Sequence, residues 1–83
     1  MVNFGVNNMS FDTIYHINNV PVYVRKLPSG DIAVWHPINE EVGKVVEYIC
    51  RNHGRWNSQY NNWIIFSKYK YRVLNDLRAN TGV

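Results

Sequence analysis

Polar and apolar positions alternate through the first part of this chain and then switch to helical spacing. Residues 12–18 (DTIYHIN) put Ile14, His16 and Asn18 on one side and Thr13, Tyr15 and Ile17 on the other, the period of a strand. Residues 20–27 (VPVYVRKL) alternate more strictly: Val20, Val22 and Val24 face one way, Tyr23 and Arg25 the other. Pro21 lacks an N–H and restricts that strand to a start or edge position at this point. Asn18-Asn19 between the two runs signals a turn, and Pro28-Ser29-Gly30-Asp31 makes a tight connection to a third strand over residues 32–36.

Val42, Val45, Val46, Ile49 and Cys50 then recur at i, i+3, i+4, i+7 and i+8, one apolar stripe of a helix. Asn39 is its expected N-cap. Glu40 and Glu41 in the first turn, with Arg51 and His53 near the end, match the helix dipole. Gly54 is placed as a left-handed terminator, and Gly43 costs the helix about 1 kcal/mol relative to alanine. Residues 55–57 and 63–67 flank a polar turn, 58–62, and predict a hairpin. Trp63-Ile64-Ile65-Phe66 is apolar on both faces, which suits a strand that is central or covered on both sides, with Trp63, Phe66 and Tyr69 in the core. Ser67 is expected to cap a second helix whose stripe is Tyr69, Val73, Leu74 and Leu77, with Phe66 and Tyr71 as a hydrophobic staple.

The order βββ-α-ββ-α predicts an α+β fold: an antiparallel sheet of four to five short strands with two helices on one face. Residues 11–79 read as one domain, 1–10 as a flexible Asn-rich arm and 80–83 as a frayed end. The αββα half is compact enough to suggest a folding nucleus.

Composition narrows the function classes. A chain of 83 residues with one cysteine, Cys50, cannot form an internal disulfide and fits a reducing, cytoplasmic setting. No segment has the pattern of a signal peptide, and none approaches the roughly 20 apolar residues that span a bilayer. His16, His36 and His53 are widely spaced and no CxxC, HExxH or HxxxH pattern exists, so no metal site is expected. There is no GxSxG, P-loop or dinucleotide fingerprint; no catalytic residue, cofactor or small-molecule substrate is expected, and the chain reads as a non-enzymatic binding module.

Charge changes the picture more. Net charge is +3, and it is one-sided. Five basic residues and no acid occur from Arg51 to Arg72, whereas the chain up to Cys50 holds three basic residues and five acids. The same basic stretch carries Trp56, Tyr60, Trp63, Phe66, Tyr69 and Tyr71. Cations beside flat rings suit phosphates and exposed bases, or an acidic protein surface. The candidate binding residues are Arg51, Arg55, Trp56, Tyr60, Lys68, Lys70, Tyr71 and Arg72. Tyr60 lies in a polar turn and should be exposed; Trp56 fits core or platform equally. Lys68 and Arg72, i and i+4 on the second helix, repel mildly, a cost that a polyanion relieves, although Arg72 can also pair with Asp76. Arg25 and Lys26, at the end of a strand, either extend the basic surface or protect a sheet edge from self-pairing, and edge protection is the favoured reading.

Residues 36–77 resemble the HARP domain, a small module found beside annealing helicases of the SNF2 type. The resemblance rests on a helix after His36-Pro37-Ile38-Asn39-Glu40-Glu41, a glycine, the aromatic-Asn pair Trp56-Asn57, a polar turn, the strand Trp63-Ile64-Ile65-Phe66 and the Tyr-containing helix from Ser67-Lys68-Tyr69 to Leu77. The family usually has Asp where this chain has Asn57, and the helicase motor is missing. The resemblance implies a fold and a bias towards forked or single-stranded DNA, not a remodelling activity. In size and style the chain is also similar to small phage or mobile-element proteins, including anti-CRISPR proteins. That likeness implies an alternative partner, a larger nucleic-acid-handling protein complex bound through Trp, Tyr and Arg anchors.

Overall fold

The computed structural model of the chain describes residues 12–82. The expected N-terminal arm lies outside the described residues. The element order is β1 (Thr13–Ile17), β2 (Val20–Lys26), β3 (Ile32–Trp35), α1 (Glu40–Cys50), β4 (Gly54–Asn57), β5 (Asn62–Ile65), a single 3-10 turn (Ser67–Tyr69) and α2 (Lys70–Ala79). The five strands form one antiparallel sheet in the order β1-β2-β3-β5-β4. This is the α+β class that the pattern predicts. The last hairpin is inserted in reverse, so β5 lies inside the sheet between β3 and β4, and β4 forms the edge.

Alternation along each strand decides which residues meet the helices. Ile17, Val22, Val24, Ile32, Val34 and Ile65 join Val42, Val46, Ile49, Cys50, Val73 and Leu77 in one buried cluster. Both helices therefore cover the same face of the sheet. Ala33 and Ile64 are also buried, but they belong to the opposite face and lie outside this cluster. Ile64 and Ile65 bury on opposite faces of an interior strand, as the doubly apolar run over 63–66 requires.

Local chemistry accounts for the connections. Asn18 and Asn19 adopt φ of 51° and 65° in a two-residue hairpin turn, a conformation that asparagine tolerates and that matches the twist of the flanking strands. Asn61 has φ 53° in the β4–β5 turn, where the Asn57 side chain accepts the Gln59 N–H at 3.0 Å. Asn39 caps α1 by accepting the Val42 N–H at 3.0 Å. At the other end His53 Nδ1–H donates to the Ile49 carbonyl at 3.1 Å, satisfying one of the carbonyls that the helix leaves unpaired. Its ring then meets Tyr69 edge-on, with centroids 5.0 Å apart.

Five expectations are corrected. Gly54 does not terminate α1 in a left-handed conformation; it opens β4. A Cβ there would lie 2.1 Å from the Ile64 carbonyl oxygen, so the close approach of β4 to β5 demands glycine. Ser67 does not cap α2, which starts at Lys70 without a side-chain cap; the Ser67 N–H donates instead to Asp31 Oδ1 at 2.9 Å. Phe66 is 41% exposed rather than in the core, because β5 ends at Ile65 and the chain leaves the sheet there. The staple fails with it, since Tyr71 is exposed too. Lys68 lies in the 3-10 turn, so it does not share α2 with Arg72.

Candidate nucleic-acid interface

The face of the sheet that the helices leave open collects the outward residues of every strand. Strand pairing sets them in rows. Arg25 pairs with Ala33, Ala33 with Ile64 and Ile64 with Arg55, giving a row with arginine at both ends and apolar residues between. At roughly 4.8 Å per strand spacing, the two arginine Cα atoms stand about 14 Å apart. The adjacent row holds Ile14, Tyr23 and Trp35, continued by the cross-strand pair Asn62 and Asn57. The Tyr23 and Trp35 rings lie 5.2 Å apart, tilted by 31°. Tyr60, 64% exposed, rises from the β4–β5 turn.

Together these residues enclose a trough of about 580 Å³ lined by Tyr23, Arg25, Ala33, Trp35, Tyr60 and Ile64. None of the outward strand residues is acidic. Asp12 and Asp31, which precede β1 and β3, are engaged as hydrogen-bond acceptors. The Asp12 carboxylate accepts the Lys26 backbone N–H, and Asp31 accepts that of Ser67. A trough with aromatic walls and Arg25 at its rim, without carboxylates in its lining and on a face that also carries Arg55, suits planar rings attached to an anionic backbone.

Of the residues singled out in the sequence, Arg55 and Tyr60 belong to this face. Trp56 points to the other side of β4, 49% exposed, and meets Trp63 edge-on with centroids 5.4 Å apart. Those two rings border a groove against α1 at His36 and Gly43. Arg51 and Arg72 line a hollow of about 470 Å³ between α1 and α2, along with Tyr48 and His53. Each arginine has an ion-pair partner four residues away: Arg51 with Glu47 at 3.1 Å, and Arg72 with Asp76 at 3.7 Å. Lys68 and Lys70 lie over the rings of Tyr69 and Tyr71, with Nζ 5.1 and 5.3 Å from the ring centres. The basic stretch of the sequence is thus not one surface. Alternation divides its hairpin between the two faces of the sheet, and the chain then crosses to the helix layer.

Four of these trough residues lie outside the basic stretch: Tyr23, Arg25, Ala33 and Trp35. Their signal was the alternation of β2 and β3, which puts Tyr23 and Arg25 opposite Val22 and Val24, and Trp35 opposite Val34. Only the strand order reveals that they face Arg55 and Tyr60.

Cys50 is fully buried, and burial pushes its thiol up to about 12, so it remains a neutral core group at ordinary pH. Among the described residues, no group of three or more His, Cys, Asp and Glu is arranged to hold a metal ion. Among them also, no helix is long and apolar enough to cross a membrane. No protein-family profile, curated protein or solved structure matches the chain.

Proposed function

We propose that this chain is a non-catalytic nucleic-acid-binding protein that holds single-stranded DNA, including the unpaired arms of a fork, across the open face of its sheet. The observation that carries the reading is the acid-free row Arg25–Ala33–Ile64–Arg55 beside the paired rings of Tyr23 and Trp35. Each part has a physical task. The arginines neutralise phosphates, and the rings offer flat faces to bases, a contact worth about 1–3 kcal/mol per base. The net charge of +3 favours encounter with a polyanion. The resemblance of residues 36–77 to the HARP domain supports the same partner class.

Fluorescence-anisotropy titrations with single-stranded, forked and duplex oligonucleotides across a salt series test this reading. Two to three phosphate contacts give a log–log salt slope between about −1.4 and −2.1 for a single strand. Arg25→Ala and Arg55→Ala should each flatten it. Affinity that ignores salt, or that survives loss of both arginines, sinks the proposal.

A second reading draws on the opposite surface. Tyr48 and Tyr71 are 88% and 71% exposed on the helix layer, where Arg51 and Arg72 also lie. Exposed tyrosine and arginine are the residue types that anchor protein interfaces. A protein-directed inhibitor of the phage type would use them. A salt-resistant protein complex that Tyr48→Ala and Tyr71→Ala abolish, while Tyr60→Ala leaves it intact, would favour that role over DNA binding.

A further inference from the structure

We propose that the trough on the open face receives one unstacked base of the bound strand, and that Ala33 sets its selectivity for unpaired DNA by leaving room for that base. The inference rests on the DNA-binding reading above and specifies what the face recognises.

Ala33 is the smallest outward side chain on the three interior strands; its outward companions there are Pro21, Tyr23, Arg25, Trp35, Ile64 and Asn62. A small residue ringed by large ones makes a depression rather than a flat platform. The space of about 580 Å³ lies within the range of pockets that hold small organic ligands, about 300–1,000 Å³. Its walls are the Tyr23–Trp35 pair and the exposed ring of Tyr60, so an entering base finds π-faces around it. Asn57 and Asn62 supply amides at the same wall, and Asn62 Oδ1 is buried with no hydrogen-bond donor among the described residues. One amide oxygen at the wall is therefore short of a partner that a polar base edge can supply once the side chain turns. Arg25 and Arg55, at opposite ends of the row through Ala33, suit the phosphates on either side of the inserted base.

Duplex DNA cannot use this arrangement, since its bases are paired and stacked. It can touch only the arginines. The preference for single strands then comes from the trough, and general affinity for DNA comes from the charges.

The test compares three strands of equal length: a normal single strand, one that is abasic at every position, and one that is abasic except for a single central base. Wild-type protein should bind the one-base strand at least about five-fold more tightly than the fully abasic strand, the gain expected from stacking one base. Ala33→Leu raises the floor of the trough without changing charge. It should abolish this gain while leaving the salt slope and the affinity for duplex unchanged. Tyr60→Leu, in an exposed turn that does not contribute to the core, should reduce the gain independently of any effect on folding. Equal binding of the abasic and one-base strands by wild-type protein overturns the inference and leaves the DNA-binding reading standing. So does a gain that persists in Ala33→Leu. Failure to bind any strand overturns both.

Discussion

The open face of the sheet and the helix layer carry the same residue types, tyrosine, tryptophan and arginine, under opposite electrostatic conditions. On the helix layer Arg51 and Arg72 each sit beside a carboxylate four residues away, Glu47 and Asp76, and both acids line the hollow between the helices. A polyanion arriving there must displace or tolerate those acids. On the sheet, Arg55 makes no ion pair among the described residues, and the outward strand positions carry no acid. Rings differ as well. Tyr69 packs against His53 and the core, whereas Trp35 and Tyr60 border the trough. Composition alone does not make a binding surface; the neighbours that strand register and helix spacing assign to each residue do.

The contrast can be broken or sharpened at several points. The largest effect is expected where both regions lose their common support. Leu77 is fully buried between α2 and the sheet, and Leu77→Ala should cost about 2–5 kcal/mol in chemical denaturation. Gly54→Ala aims at the sheet edge alone. Its new Cβ meets the Ile64 carbonyl, so β4 must shift away from β5, at a cost of about 1–3 kcal/mol. Single-strand affinity should fall with it, because Arg55 and Tyr60 move with β4; unchanged stability would show that the edge accommodates a side chain.

Pairs of equivalent substitutions then compare the regions directly. Tyr60→Ala should weaken single-strand binding by about 1–3 kcal/mol, and Tyr71→Ala should leave it unchanged. Arg55→Ala should reduce the steepness of the salt dependence by about 0.7, the share of one phosphate contact, while Arg72→Ala should not alter it. If Arg72 and Tyr71 matter as much as Arg55 and Tyr60, binding spreads over both layers and the contrast fails. The smallest effect is a gain. In Gly43→Ala the added Cβ sits 3.7 Å from His36 Cε1, an ordinary contact, so the helix should gain up to about 1 kcal/mol in thermal or chemical denaturation.

Much of the fold was legible from period alone. The valines of β2 and the stripe of α1 specify their elements because each buries one face, and Asn18-Asn19 supplies the two positive φ values that one of the favoured two-residue hairpin turns requires. Gly54 and Ser67 misled because a glycine after a helix and a serine before one have standard local uses, while here their roles depend on partners far along the chain, Ile64 and Asp31. The candidate site was legible only in part for the same reason. Arg55 and Tyr60 stand out in a basic, aromatic run. Trp35 stands twenty residues earlier beside apolar neighbours, and nothing local says that β5 will slot next to β3 and bring that run into line with it.

That slot has a consequence for anyone who would trim the chain. A fragment beginning near His36 would retain α1, both strands of the last hairpin and α2, the portion that looks self-sufficient on paper. It would also strip β5 of the neighbour on its β3 side, baring a rail of amide and carbonyl groups beside Ile64 and Ile65. Such a fragment should seek a substitute strand from its own kind, and precipitate or form intermolecular sheets more readily than the full chain. Its failure to do so in light scattering would mean that the C-terminal half heals its own seam.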